Sequence, residues 1–299
     1  MPAMVIAAPE SLSGKTTIAA AIASRLSEGG TTVALARLAG DAHAAADARF
    51  FAGLAFNAGP RPEPLEAAAA GQADVTLVEA PAGDARAALG ALAGKAVVVA
   101  AYSDPLPAGI PSFCAALGDA CAGVAVTRVP VRRLEATRDA VGAIGARLLG
   151  LIPEDRTLAA PTLGAVAEAL EADSSSLNSA SETVIDRPII SSISADPAQG
   201  YFARYSPNAV IVRGDKPDQQ LGALNAGAPC LIVTGGLPVL SYVEERAAGE
   251  GIPVLRTPYD TVAAVERLEA LYGATPFCGR AKVERIAGLA GELDISALA

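Results

Sequence analysis

The feature that most constrains the fold is the alternation of short valine- and isoleucine-rich runs with alanine-rich stretches of helical length. Short apolar runs bounded by turn residues are typical of strands buried on both faces, and intervening helices allow such strands to run parallel. Strands are predicted at 5–8, 32–38, 75–79, 96–101, 124–127, 149–152, 209–213, 230–234 and 253–257. The predicted fold class is α/β, with a mostly parallel, doubly wound sheet followed by a second, smaller α/β domain.

Helices are predicted between these strands, and a serine-rich stretch interrupts the rhythm. The predicted helices span 16–27, 44–70 as a pair, 85–93, 112–120, 131–147, 161–172, 218–226, 239–249 and 261–272. The stretch at 172–183 nearly lacks large apolar residues, which is typical of a linker or surface loop. We therefore predict a first domain at 1–172, a linker at 173–183 and a second domain at 184–299.

The charge and cysteine content exclude several classes of function. The chain has 23 basic and 32 acidic residues and a formal net charge of -9, so no basic stripe is present for nucleic acid. Lys95 interrupts the best candidate for a membrane span. The four cysteines form no C-x-x-C pair. We expect a reduced, cytoplasmic protein that binds neither nucleic acid nor membranes.

The segment PESLSGKTT at 9–17 lies between the first predicted strand and the first predicted helix. This context supports a phosphate-binding loop of the G-x-x-x-x-G-K-[ST] type, although Pro9 occupies the first glycine position. Lys15 would bridge the terminal phosphates, and the helix N-terminus would add to the attraction. The alternative is a surface turn that caps a helix. The residues predicted to bind nucleotide here are Ser11, Ser13, Gly14, Lys15, Thr16 and Thr17.

An acidic residue at a neighbouring strand end is needed as well, because Mg²⁺ requires oxygen ligands. Glu79 ends the strand in DVTLVEAPAG and is the first candidate, unless it is merely a solvated carboxylate. Asp41 is a second candidate, with a helix N-cap as the equal alternative. The predicted metal residues are thus Thr16, Asp41 and Glu79. His43 has no visible partner for acid–base catalysis.

The loop at 9–17, the VEAPAG strand end and LGLIPEDRTLAAPT at 149–162 resemble the dethiobiotin-synthetase-like P-loop family. More narrowly, they resemble the version at the N-terminus of long phosphate acetyltransferases. The segments at 212–236 and 251–261 resemble the DRTGG domain that follows it in those enzymes. The resemblance does not extend to an acetyltransferase catalytic domain. It implies that Pro153 and Glu154 line the nucleotide base.

Two positions depart from the family pattern. Arg37 stands where dethiobiotin synthetase has a substrate-handling lysine, and arginine does not reproduce a compact, titratable ammonium. Thr127 stands where the family reads the base with asparagine, and threonine lacks the paired amide donor and acceptor. We therefore expect phosphate binding to be retained, base selectivity to be altered and the carboxylating chemistry to be lost.

In the second predicted domain, Gly-Asp-Lys and Thr-Gly-Gly follow two strand ends. Ligands of doubly wound sheets collect at the carboxyl ends of strands, so a regulatory ligand site is one interpretation. In this motif, lysine replaces the arginine of the DRTGG name. The alternative is a pair of tight-turn glycines with a capping aspartate, and Asp260 is predicted to cap a later helix. The predicted ligand residues are Asp215, Lys216, Thr234, Gly235 and Gly236.

These observations favour a regulatory or sensor protein that binds ATP or ADP with Mg²⁺. The alternative is an ATP-dependent enzyme that activates a small carboxylate or carbamate, with Lys15 and Glu79 as catalytic residues and Arg37 positioning the acid. A third hypothesis is a scaffold whose phosphate loop has decayed. The partners expected are the nucleotide, a separately encoded acyltransferase or other enzyme, and a second copy of the chain in a homo-oligomer, a dimer.

Overall fold

The computed structural model describes residues 3–69, 72–83, 85–92, 94–173, 175–191, 200–202 and 204–298, and these divide into two compact units. The first unit comprises Met1–Asp155, Pro276–Cys278 and Lys282–Ala299, and the second comprises Arg156–Thr275 and Gly279–Ala281. Each unit contains a parallel sheet with helices. The α/β class predicted from the alternating pattern is therefore confirmed.

The sheet of the first unit has six parallel strands in the order β2-β3-β1-β4-β5-β6. Most of their residues are buried, which explains why the apolar runs do not alternate with polar residues. The strand order reverses beside β1, so the loops after β1 and its neighbours diverge at one carboxyl edge, where ligands of such sheets bind. The strands are β1 Ala3–Ala7, β2 Val33–Arg37, β3 Val75–Glu79, β4 Lys95–Ala101, β5 Cys121–Val129 and β6 Leu148–Pro153.

Five helices connect these strands, and one predicted helix is wrong. The helices are α1 Lys15–Glu28, α2 Ala44–Ala52, α3 Arg86–Leu92, α4 Gly109–Leu117 and α5 Leu134–Ala143. The second helix of the pair predicted at 44–70 is replaced by turns and isolated bridges over the described residues up to 69. Pro60, Pro62 and Pro64 prevent a continuous helical hydrogen-bond pattern there. Residues 70 and 93 of the predicted helices lie outside the described ranges.

The second unit has a parallel sheet of four strands in the order β10-β9-β8-β7. β7 was not predicted, since it contains only three residues and begins with a proline. Asp260 caps the helix that follows β10 by accepting a hydrogen bond from the Ala263 N–H at 2.9 Å, as predicted. The elements are β7 Pro188–Ile190, β8 Ala209–Arg213, β9 Leu231–Thr234, β10 Val254–Arg256, α6 Arg156–Ala159, α7 Leu163–Ala169, α8 Pro217–Asn225, α9 Ser241–Gly249 and α10 Thr261–Glu269.

The serine-rich stretch packs on the second unit. Leu177 is buried in the same hydrophobic cluster as Leu163 and Leu170. The Ser176 hydroxyl donates to the Val254 carbonyl at 2.9 Å and accepts from its N–H at 3.0 Å. The division between the units therefore lies after Asp155, earlier than the predicted linker at 173–183, of which residue 174 lies outside the described ranges.

The segment after the helix α11 (Arg280–Leu289) belongs to the first unit. Leu293 forms an isolated bridge with Gly150 of β6, where a Cβ would lie 2.6 Å from the Glu292 carbonyl oxygen. Arg25 of α1 donates to the Ala290 carbonyl at 3.0 Å. Thus the first unit includes residues that the sequence assigns to the second domain. Among the described residues, no helix has the length and apolar character needed to cross a membrane.

Candidate phosphate-binding site

The loop between β1 and α1 depends on Gly14. Its φ is 90°, and a Cβ at this position would lie 2.9 Å from Cγ2 of Thr127. The left-handed backbone and the close approach both favour glycine, the residue without a Cβ. The Gly14-Lys15-Thr16 motif therefore lies where it was predicted, at the start of the helix that follows the first strand.

The N-terminus of α1 has the geometry of an anion site. The helix begins without a side-chain cap and without an acidic residue in its first turn. Ile18 donates to the Gly14 carbonyl at 3.0 Å, while the amides that precede it at a helix start have no intrahelical acceptor. These amides, the positive end of the helix dipole and Lys15 are available to one phosphate group.

A side chain of the sheet, Thr127, contacts this loop and stabilises it. Its side chain is buried, and its hydroxyl donates to the Ser13 carbonyl at 2.8 Å. Thr127 lies in β5, so the hydrogen bond joins the loop to a strand two places away in the sheet. Thr127 thus holds the loop through this hydrogen bond and lies against Gly14.

Replacing Gly14 by alanine will destabilise the first unit by about 1–3 kcal/mol, because a strained backbone and a steric overlap arise together. Gly30→Ala is the matched control, since Gly30 has a φ of 84° and an added Cβ there would meet no described atom within 4 Å. Thermal and denaturant unfolding of both variants will measure the difference. Equal losses of unfolding free energy in the two variants would show that the overlap with Thr127 adds nothing to the cost of the strained backbone.

Glu79 and Thr16 lie together at the carboxyl edge of the sheet. The Thr16 hydroxyl donates to Glu79 Oε1 at 3.3 Å, and Glu79 is 2% exposed. The alternative that Glu79 is an ordinary solvated carboxylate is therefore wrong. A hydroxyl and a carboxylate beside a phosphate loop are oxygen ligands of the kind that Mg²⁺ prefers.

Arg37 pairs with three acidic side chains. Its Nε lies 3.3 Å from Asp47 Oδ2 and 3.5 Å from Glu79 Oε1, and its Nη2 pairs with Asp41. Burial disfavours the charged guanidinium, but the carboxylates of Glu79, Asp41 and Asp47 outweigh this and raise the pKa of Arg37. Arg37 is 2% exposed, so its guanidinium is enclosed together with these carboxylates.

The two oxygens of the buried Glu79 carboxylate differ in their hydrogen bonding. Burial and the charge of Asp47 raise the pKa of Glu79 to about 7, against the opposing effects of Arg37, Lys15 and Thr16. Whereas Oε1 accepts from Thr16, no described residue forms a hydrogen bond with Oε2. A divalent cation or its bound water would satisfy this atom, and an added positive charge would favour the ionised carboxylate. These residues therefore fit a magnesium ion.

Phosphate oxygens would have to complete the coordination of such an ion. In the described part of the chain, no group of three or more His, Cys, Asp or Glu side chains is arranged to hold a metal by itself. Thr16 and Glu79 supply only two side chains, and Mg²⁺ is commonly bound by few protein ligands together with substrate phosphates and waters. A metal held in this way would depend on the presence of a phosphate ligand.

Asp41 and Asp47 have different environments. His43, and not Asp41, is the N-cap residue of α2, while the Asp41 carboxylate accepts from the His43 N–H at 3.0 Å. Burial opposes ionisation of Asp41, but Arg37 outweighs it and lowers its pKa. Burial raises the pKa of Asp47. Asp47 was missed by sequence reasoning, although it lies on the face of α2 that buries Ala44, Ala48 and Phe51.

The remaining predicted nucleotide residues lie at the same edge or near it. Ser13 is buried and its hydroxyl has no hydrogen-bond partner among the described residues, whereas Ser11 is exposed and Thr17 is half-buried. Pro153 pairs with Val129 at the end of β6, and the Glu154 N–H donates to the Val129 carbonyl at 2.9 Å. A contact of Pro153 and Glu154 with a base stays a prediction.

In the second unit, the two motif loops meet at the carboxyl ends of β8 and β9. The Gly214 N–H donates to the Thr234 carbonyl at 2.8 Å. The Gly235 N–H donates to the Tyr259 carbonyl at 2.7 Å, and the Gly236 N–H to the Thr257 carbonyl at 3.0 Å. These three amides are engaged within the protein, and both glycines after Thr234 have a positive φ. This geometry favours tight-turn glycines over an amide cradle for an anion.

The charged side chains of these loops pair with one another. Arg213 donates to both oxygens of Asp215, at 2.8 and 2.7 Å, and Lys216 Nζ lies 4.0 Å from Asp215 Oδ2. The Thr234 hydroxyl lies 2.9 Å from that of Thr261. A ligand site at Asp215, Lys216, Thr234, Gly235 and Gly236 stays a prediction.

The region that contains both motifs matches a known domain family. Residues 165–271 match the DRTGG domain. The matched range of this DRTGG domain begins within α7, which agrees with the packing of α7 and the serine-rich stretch on the second unit. The DRTGG domain ends with α10 and its following turn.

Two solved structures are similar to part of the chain. One is the MinC:MinD cell division protein complex from Aquifex aeolicus, with 20% identity, a TM-score of 0.41, and coverage of 53% of this chain and 83% of that chain. The other is the MinD cell division protein from Aquifex aeolicus, with 18% identity, a TM-score of 0.37, and coverage of 53% and 84%.

Proposed function

We propose that the first unit binds ATP or ADP with Mg²⁺ and that the chain is a nucleotide-binding regulatory or sensor protein. The observation that carries the proposal is the uncapped N-terminus of α1, where Lys15 and the Thr16–Glu79 pair lie beside a glycine that packs closely on Thr127. In this proposal Gly14, Lys15 and Thr17 hold phosphates, while Thr16 and Glu79 hold the metal.

A regulatory role is favoured over the enzyme alternative by the position of Arg37. An enzyme that activates a small carboxylate needs a cation free to hold the acid, whereas the Arg37 guanidinium is paired with Asp41, Asp47 and Glu79. The DRTGG domain supports the same proposal through its resemblance to the N-terminal region of long phosphate acetyltransferases. The role would be to adjust the activity of a separately encoded acyltransferase or other enzyme according to the bound nucleotide.

Calorimetric titration of the full chain with ATP and ADP, with Mg²⁺ and with a chelator, tests the proposal. We expect binding that Mg²⁺ strengthens and no release of phosphate when small carboxylates are added. Absence of binding with either nucleotide would contradict nucleotide binding. Carboxylate-stimulated phosphate release would contradict the regulatory role and favour the ligase alternative.

Glu79→Gln will reduce the strengthening by Mg²⁺ at least about tenfold, because loss of even an outer-shell partner of a metal typically costs about 10–100-fold in metal affinity. Binding measured with the chelator will change little, since the loop amides and Lys15 remain. Glu63→Gln is a matched control on an exposed carboxylate of the same unit. An unchanged effect of Mg²⁺ in Glu79→Gln would remove this residue from the metal site.

A further inference from the structure

A cavity of about 410 Å³ lies beside β2, the edge strand of the six-stranded sheet. Its volume is within the range of roughly 300–1,000 Å³ that is typical of small-molecule sites. Exposed residues at its rim leave it accessible to solvent. Neither the phosphate loop at 9–17 nor Glu79 contributes to its lining. The cavity is therefore separate from the phosphate-binding site.

The segment that covers the cavity is attached to β2 at both of its ends. The buried side chain of Asn57 accepts a hydrogen bond from the Leu35 N–H at 3.1 Å. Further along, the Leu65 N–H donates to the Arg37 carbonyl at 2.8 Å. Between these two attachments, a proline at every second position of 60–64 restricts the backbone. The cavity is therefore formed by the folded chain before any ligand binds.

Small side chains make up most of the wall of the cavity. A Cβ at Gly59 would lie 3.4 Å from Cβ of Ala34, so the covering segment and the strand touch there. Protein interiors are normally close-packed, and space lined by methyl groups can bind an apolar group. The small residues that line the cavity are Ala34, Ala36, Ala58, Gly59, Ala69 and Ala73.

Two polar side chains of the lining, Arg61 and Gln72, are exposed and available to a ligand. Neither forms a hydrogen bond or an ion pair with another described residue. Thr32, by contrast, is bonded to Asp74, since its hydroxyl donates to Oδ2 at 2.7 Å and accepts from the N–H at 2.9 Å. Arg61 is the one basic residue of the lining, and no acidic residue lines the cavity. Its guanidinium has donors whose geometry matches a carboxylate.

We propose that this cavity binds a small amphipathic monocarboxylate. The apolar chain of the ligand lies against the alanine walls, and its carboxylate pairs with Arg61 and accepts a hydrogen bond from Gln72. One arginine balances one negative charge, so the cavity favours a monocarboxylate over a phosphate or a dicarboxylate. This site is independent of nucleotide binding and stands without it.

NMR titration of hexanoate with the full chain, observed on the ligand signals, tests the proposal. 1-Hexanol is the matched probe, because it has the same apolar chain without the charge. We expect hexanoate to bind at least about tenfold more tightly than 1-hexanol, since hydrogen bonds to charged groups are the stronger ones. Absence of hexanoate binding, or equal affinity for the two probes, would overturn the proposal.

Two variants place the ligand in the cavity. Arg61→Gln will weaken hexanoate binding at least about tenfold and leave 1-hexanol binding unchanged, because the charge is lost while the walls remain. Ala58→Leu will weaken binding of both probes, because the longer side chain fills part of the cavity. Arg132→Gln is the matched control, since Arg132 is an exposed arginine of the same unit and does not line the cavity. Thermal unfolding will verify that each variant is folded, and wild-type hexanoate affinity in either folded Arg61→Gln or folded Ala58→Leu would overturn the proposal.

Discussion

Lys15→Ala will weaken binding of Mg²⁺-ATP by about 100-fold, while Lys95→Ala will change it by less than about twofold. Lys15 is the first residue of α1 and is 6% exposed, so its ammonium is held at the phosphate-binding end of the helix. A hydrogen bond to a charged group contributes about 1.5–3 kcal/mol, and each 1.4 kcal/mol corresponds to about a tenfold change in affinity.

The loss of charge adds to the loss of hydrogen bonds. Lys15 interacts electrostatically with both Asp41 and Glu79, so removing its charge leaves the phosphates closer to uncompensated carboxylates. Lys95 is the matched control because it begins β4 on the surface of the same unit. Isothermal titration calorimetry at one salt concentration will measure both variants. Wild-type affinity in a folded Lys15→Ala variant would contradict nucleotide binding at this loop.

Arg37→Leu will lower the free energy of unfolding of the first unit by about 3–5 kcal/mol, because removing one partner of a buried ion pair leaves uncompensated charge. Asp41, Asp47 and Glu79 all depend on the Arg37 guanidinium, and Asp47 and Glu79 are buried with it. Arg138→Leu is the matched control. Its pair with Glu135 is exposed and 3.9 Å long, and such pairs contribute about 0–1 kcal/mol.

The effect of Arg37→Leu will depend on pH. The folded-state pKa of Glu79 is raised to about 7, so its contribution to stability is present at low pH and is lost as the pH rises through about 7. Without Arg37 the pKa of this carboxyl rises further, and ionisation costs more. The destabilisation will therefore be larger at about pH 8 than at about pH 5. Denaturant unfolding at both pH values measures this destabilisation. A loss of unfolding free energy below about 1 kcal/mol at pH 8 would show that the three carboxylates do not need Arg37 for stability.

The position of the loop at 9–17 between a strand and a helix was predictable because its signals are local. Gly14, Lys15 and Thr16 are consecutive, and they follow a strand and begin a helix whose patterns are contained in short stretches of sequence. Glu79 was found in the same way, as the acidic end of an apolar strand. Such features need no knowledge of which strand lies beside which.

The side-chain partners were not predictable, because they depend on strand order. Arg37 faces Glu79 since β2 pairs with β3 in register, and Thr127 reaches Ser13 since β5 lies two places from β1. The position of Arg37 at the end of β2 suggests a cation that holds a substrate. Its ion pair with Asp47 of α2, however, directs the guanidinium into the protein.

By itself, the sequence determined a parallel α/β chain, the strand–loop–helix arrangement around residues 9–17 and the acidic strand end at Glu79, because backbone propensity and apolar periodicity act over neighbouring residues. Only the tertiary structure decided that Thr127 supports the loop, that Arg37 binds three carboxylates, and that the Gly235 and Gly236 amides are already hydrogen-bonded. These contacts join residues far apart in the chain, so they are set by how strands and helices pack and not by any local pattern.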